Sequence, residues 1–106
     1  LKDIVPLGED GNTLAPMEVV RAVSEYFKLT QEEIFGKSRS QGVVVARQIA
    51  MYLCREKTTM SLPKIGALFG GRDHTTVMYA IKKVGDLMSE RRYIYNQVTD
   101  IRAGLK

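Results

Sequence analysis

Apolar residues recur at three- and four-residue spacing over most of the chain, the pattern of helices that each bury one face. The first such stretch opens near Pro16, whose fixed φ suits an opening helical turn. It places Met17, Val20, Val23 (or Ser24) and Phe27 along one side. Thr30-Gln31-Glu32-Glu33 has the form of a capping box, with Thr30 as N-cap and Glu33 reaching back to it. That predicts a short second helix stopping at Gly36. Lys37-Ser38-Arg39-Ser40-Gln41-Gly42 then reads as a polar, basic loop. A longer helix is expected over residues 43–57, with Val45, Ile49 and Leu53 beside Ala46, Ala50 and Cys54 on its stripe. Arg47, Gln48 and Arg55 lie off that stripe. Val43-Val44-Val45 alone would suit a strand, but the run is short and the helical pattern continues past it. Ser61 is expected to cap a fourth helix, with Pro63 in its first turn and Ile65, Leu68 and Phe69 facing the core. Gly70-Gly71 ends it and Asp73 caps a fifth. There Val77, Ile81, Val84 and Met88 form the apolar side, and Thr75, Thr76, Tyr79, Lys82 and Lys83 the polar one. A last helix from about Glu90 aligns Ile94, Val98, Ile101 and Leu105, a stripe that a small helical domain needs for closure. Neither an internal repeat nor a hairpin signal is visible. The predicted fold class is all-α, a compact bundle of about six helices.

Residues 1–15, punctuated by Pro6, Gly8 and Gly11-Asn12, have weak periodicity and read as a linker, which leaves 16–106 as one domain. A chain of 106 residues with 44% hydrophobic and 26% charged content suits a single folded core rather than a disordered polymer. The opening residues show no basic segment followed by an apolar run, so no signal peptide is expected. Cys54 is the sole cysteine and His74 the sole histidine. An internal disulfide is excluded, no tetrahedral Cys/His zinc site can form, and no metal is expected. A reducing cytoplasm is the expected setting.

Charge divides the chain unevenly. Residues 1–36 carry 3 Lys/Arg and 7 Asp/Glu, whereas 37–106 carry 13 and 5, so balances of −4 and +8 sum to the net +4. Such asymmetry suits a second part that faces a polyanion. A soluble basic surface would give the same count, so the motif has to decide.

The motif spans Met60 to Lys83: a short helix, a two-glycine turn and a second helix with a polar face, the outline of a helix-turn-helix. The second helix is the natural reader, because its N-terminal residues reach base edges in a major groove while Val77 and Ile81 anchor it. Arg72 suits a phosphate, and Thr75 and Thr76 offer hydroxyls and methyls for phosphate oxygens and thymine methyls. His74 can donate a hydrogen bond or pack on a thymine methyl. Asp73 has two uses beside a polyanion, capping the helix or accepting from cytosine N4, and the sequence leaves both open.

Other chemistry fits poorly. His74 lacks a local nucleophile with an orienting acid, so a catalytic role is disfavoured and no enzyme is expected. Gly36-Lys37-Ser38 resembles the end of a phosphate-binding loop, but the required earlier glycine is Gln31 and no strand precedes it. Cys54 sits on an apolar face as a small hydrophobe. Arg47 and Arg55 can also be read as a solvated helix face, and Arg91-Arg92 as a second basic patch or as plain surface.

Gly70-Gly71-Arg72-Asp73-His74-Thr75-Thr76-Val77-Met78-Tyr79-Ala80 closely resembles the signature stretch of the DnaA family of bacterial replication initiators. Ser61-Leu62-Pro63-Lys64-Ile65-Gly66 and Ala46-Arg47-Gln48-Ile49-Ala50-Met51 resemble that family's neighbouring blocks, in the same order. The resemblance covers roughly residues 16–106 and makes 1–15 similar to the end of a linker from an ATPase module. It implies base contacts by Asp73, His74 and Thr75 in the major groove and by Arg39 in the adjacent minor groove. Arg39 would suit A·T-rich DNA, whose narrow minor groove concentrates negative potential. It implies backbone contacts by Lys37, Ser40, Arg47, Gln48, Arg55, Arg72, Thr76 and Lys83, and by Leu62 and Pro63 at a helix start. Ser38 and Gln41 stand where the family's loop is often basic, and Tyr79 where some members have histidine.

The function implied is binding of short, asymmetric, A·T-rich boxes in double-stranded DNA at a replication origin. ATP or ADP with magnesium, and assembly on DNA, would belong to the missing module. Regulatory proteins are a further implied partner class, and this fragment itself is expected to be monomeric. The alternatives are a transcriptional regulator of another helix-turn-helix family, which an intrinsic dimer and palindromic sites would favour, and an interaction module for acidic partners or lipid, which weak salt dependence on DNA would favour.

Overall fold

The computed structural model describes residues 15–105. The expected linker therefore lies, apart from Ala15, outside the described residues, as does Lys106. Six helices follow in order: α1 (Pro16–Phe27), α2 (Gln31–Phe35), α3 (Gln41–Lys57), α4 (Leu62–Leu68), α5 (His74–Glu90) and α6 (Arg92–Gly104). Among the described residues there is no strand, so the all-α expectation holds. No helix among them is long and apolar enough to cross a membrane.

α3 and α5 form the central pair. α1 and α2 pack on α3, α4 on both members of the pair, and α6 on α5 and α1. Being covered on several sides, α3 buries more than one stripe: Val43, Ala46, Ile49, Ala50, Met51, Leu53 and Cys54 are all within the core. Val45, expected on that stripe, is only half-buried. On α1, Val19 replaces Met17 in the core; Met17 is 44% exposed. The buried set Val19, Val20, Val23 and Ser24 centres the stripe about a quarter turn away from position 17. The Thr30 capping box forms as expected: the Glu33 amide donates to Thr30 Oγ1 at 3.0 Å and the Thr30 amide to Glu33 Oε1 at 2.9 Å.

Between α4 and α5 the chain turns through Gly70 (φ 85°) and Gly71 (φ 77°), conformations that a side chain would strain. Gly66 on α4 meets the far side of this turn. The Arg72 amide donates to its carbonyl at 2.8 Å, and a Cβ there would lie 2.0 Å from the Arg72 oxygen. Phe69, fully buried, packs against Phe35 with ring centroids 5.5 Å apart. Burying a side chain of that size stabilises by about 1.5–3 kcal/mol and here pins the turn to α2. At the opposite pole Arg102 Nε lies 3.0 Å from Glu56 Oε1, tying α6 to α3.

Candidate nucleic-acid interface

α5 is held by its inner residues Val77, Ala80 and Val84, while Asp73, His74, Thr75 and Thr76 at its start are all exposed. The three residues expected to touch bases in the major groove thus stand together on one outer edge. Asp73 has the extended backbone of an N-cap (φ −66°, ψ 151°), but its carboxylate makes no cap hydrogen bond. Instead Oδ2 accepts from Thr75 Oγ1 at 2.8 Å, and Oδ1 lies 3.2 Å from His74 Nδ1. The Thr75 bond, with smaller help from the His74 amide and ring, holds the Asp73 carboxyl below its usual range. The expectation of side-chain capping by Asp73 is corrected accordingly. The carboxylate organises its two neighbours, and Thr75 presents its methyl and remaining lone pairs outward with its proton committed.

Beside this edge lies the loop between α2 and α3. Lys37, Arg39 and Ser40 are exposed, and the Ser40 amide donates to Ser38 Oγ at 3.3 Å. A cleft runs between the loop (Lys37, Ser38, Arg39) and the glycine turn (Gly70, Gly71, Arg72). Its walls are basic, with no carboxylate among the lining residues.

Two arginines expected to hold phosphates are turned inward. Arg47, 7% exposed, donates from Nε to the Ile34 carbonyl at 2.7 Å, from Nη2 to Glu33 at 3.0 Å and from Nη1 to Ser38 at 3.1 Å. Arg72, half-buried, donates from Nη2 to the Gly36 carbonyl at 2.6 Å and from Nη1 to the carbonyls of Phe35, at 3.4 Å, and Phe69. The four successive carbonyls from Glu33 to Gly36 are those a short helix leaves without internal partners at its C-terminus, where its dipole also favours cations. In this structure Arg47 is a strut beneath the basic loop, its three guanidinium nitrogens all met by protein carbonyls. Arg72 has both terminal nitrogens engaged in the same way. Burial, and then the neighbouring Arg72 charge, lower the Arg47 pKa. Their local sequence does not announce this role, because the α2 partners lie 13 to 37 positions away. The one available signal was an isolated arginine on a helix otherwise packed on several sides.

The other expected backbone ligands are spread around this centre. Gln48 is half-buried, and Thr76 and Lys83 are exposed on α5. Arg55 is exposed and donates to the Met60 carbonyl at 3.3 Å. At the start of α4 Ser61 Oγ accepts from the Lys64 amide at 3.4 Å. Leu62 is half-buried and Pro63 exposed there. Pro63 has no N–H, so it supplies a fixed backbone while any amide donor comes from Leu62. Cys54 is buried and its thiol is pushed up to about 12 by desolvation. Among the described residues no group of His, Cys, Asp and Glu could hold a metal.

The family model described as "Bacterial dnaA protein helix-turn-helix" matches residues 16–84. The whole chain is 61% identical to the chromosomal replication initiator protein DnaA of Leifsonia xyli subsp. xyli (strain CTCB07), and 60% identical to that of Clavibacter sepedonicus. It is 50% identical to that of Cutibacterium acnes (strain DSM 16379 / KPA171202). The chain spans 22%, 22% and 21% of these relatives' lengths. A crystal structure of a DNA replication initiation factor superposes with a TM-score of 0.71 at 30% identity, over 86% of this chain and 29% of that one.

Proposed function

The chain belongs to the bacterial DnaA helix-turn-helix family, and from that premise we propose that it recognises short, asymmetric, A·T-rich boxes in duplex DNA at a replication origin. The observation that carries the reading is the exposed cluster Asp73, His74 and Thr75 at the start of α5, set beside the basic cleft of Lys37 and Arg39. A helix start of this kind enters a major groove, and an arginine one loop away reaches the adjoining minor groove. In this reading Asp73, His74 and Thr75 touch bases in the major groove and Arg39 in the minor groove. Lys37, Ser40, Gln48, Arg55, Leu62, Pro63, Thr76 and Lys83 hold sugar–phosphate, with Arg72 adding charge from behind the turn. One domain meets one asymmetric site, so no dimer axis is needed. This chain supplies the address. ATP with magnesium, assembly on DNA and any docking of regulatory proteins would involve the remainder of such a protein, acting on the chromosome in a bacterial cytoplasm.

Competition between a box duplex and a scrambled duplex at two salt concentrations tests this. The box should win by about 10³-fold or more, and both affinities should fall steeply with salt. Equal affinity for the two sequences would overturn the proposal.

A further inference from the structure

A second groove lies on the flank of the molecule, between the outer side of α3 and the C-terminal half of α5. Its floor is apolar, formed by Val45, Leu87 and Ile94. Its rim is polar: Gln41 and Gln48 from α3, Lys83 from α5, and Arg91 and Tyr93 from the junction with α6. Two cations, two amides and a phenol thus converge, with no carboxylate among the lining residues. Nearby acids do not neutralise them. Asp86, about one turn from Lys83, has its carboxylate 4.0 Å from Lys82, and neither Lys83 nor Arg91 makes an ion pair with a described residue.

Arg91 is also rigidly mounted. It closes α5, donating its amide to the Leu87 carbonyl at 2.7 Å. It opens α6 at the same time, its carbonyl accepting from the Ile94 amide at 3.1 Å and the Tyr95 amide at 3.2 Å. A long exposed cation on a pivot fixed by two helices is placed with little backbone freedom to lose on binding. The groove is continuous with the proposed DNA face, because Gln48 and Lys83 belong to both.

We propose that Arg91 is a further phosphate-binding residue, holding a phosphodiester of the duplex that flanks the recognised bases, with Gln41 and Tyr93 as neutral donors along the same groove. This rests on the DNA-binding reading above and extends its footprint past Lys83. The floor of Val45, Leu87 and Ile94 lowers the local dielectric, which strengthens a charge-assisted contact at its edge.

The experiment compares the wild-type chain with Arg91→Gln and Arg91→Lys, each confirmed folded by its melting curve, on two duplexes. One is the box with flanks long enough to pass the groove; the other is trimmed to the recognised bases. On the long duplex Arg91→Gln should lower the salt slope by about 0.9, so that going from 50 to 200 mM salt weakens wild type about 3.5-fold more than the variant. Arg91→Lys should restore the slope, and trimming the flanks should erase the difference. Box preference should be unchanged in all three proteins, since the contact carries no sequence information. If wild type prefers the box but Arg91→Gln keeps its slope on the long duplex, Arg91 has no phosphate and this inference fails alone. If wild type shows no box preference, the reading beneath it fails as well.

Discussion

Two helix ends face the basic cleft, and they are treated in opposite ways. The C-terminus of α2 is closed: four successive carbonyls, Glu33 to Gly36, are taken up by Arg47 and Arg72. The N-terminus of α5 is left open, with Asp73, His74, Thr75 and Thr76 exposed and the capping carboxylate turned to the Thr75 hydroxyl. Both ends are rich in residues suited to nucleic acid. The difference is whether the protein has already met their hydrogen-bonding needs. A cation whose donors are satisfied internally contributes charge and shape to a neighbouring site. A cluster whose polar atoms face solvent can exchange water for bases.

The comparison breaks most sharply at Arg47. Replacing it with alanine strands one buried and two part-buried carbonyls and removes a charge-assisted set of bonds, each fully buried unmet group costing about 1–3 kcal/mol. Arg47→Ala should therefore lose about 3–5 kcal/mol of stability, the scale seen when one side of a buried charged contact is removed. With roughly 4–8 °C per kcal/mol in a domain of this size, the melting temperature should drop by at least about 12 °C. A variant that melts like wild type but binds DNA weakly would reverse the assignment and return Arg47 to the phosphates. Gly66→Ala probes the other wall of the same region. A Cβ 2.0 Å from the Arg72 oxygen must push α4 off the turn, so about 1–3 kcal/mol should be lost, read by chemical denaturation.

Most of the architecture could be read from the chain. The capping box at Thr30, the proline-opened α1, the glycine pair before α5 and the period of Val77 and Val84 each specify a local structure through short-range physics, and all form. Three features escaped. The spacing of Met17 to Val20 predicts a core position, but Val19 sits nearer the centre of the buried side. The position of Asp73 suggests a cap bond, but the hydroxyl two residues on competes for the carboxylate. The resemblance implies Arg47 as a DNA-backbone contact, and an arginine off the apolar stripe also reads as solvated surface, yet it is 7% exposed. Its burial follows from α2 being only five residues long. So short a helix has nearly as many orphan carbonyls as residues, and the donors must come from elsewhere in the fold. The exposed reader cluster was legible because it depends on one helix start, and the strut was not because it depends on tertiary packing.

At the open end the effects should appear in recognition instead of folding. Arg39→Ala should cost about 1–3 kcal/mol of box affinity and relax the A·T preference at the positions it touches. Its melting temperature should stay at the wild-type value, since Arg39 is exposed and makes no hydrogen bond with a described residue. His74→Ala should cost about 1 kcal/mol, near the lower limit for a base contact, and fall more heavily on the box than on a scrambled duplex. Loss of stability in either protein would mean that this end, too, is structural.

The finest test concerns the Asp73–Thr75 pair. Thr75→Val keeps the side-chain shape and a methyl for thymine but deletes the hydroxyl that donates to Asp73 Oδ2. Because that bond is the first cause of the depressed Asp73 pKa, the variant's carboxyl should titrate closer to the ordinary aspartate range. In wild type the bond favours the ionised form. Its contribution is complete above the unfolded carboxyl pKa, and it is lost as pH falls through the depressed folded value. The variant should show a weaker acid-side dependence, since the His74 contacts remain. Carboxyl carbon shifts of Asp73 followed through an acid titration would read both curves, and any difference in melting temperature should be present at neutral pH and close as the carboxyl protonates. If the two titrations coincide, the hydroxyl does not hold the carboxylate, and Asp73 is free to cap α5 after all. In that event the start of α5 would be closed like the end of α2, and the contrast between the two ends would narrow to His74 and Thr76.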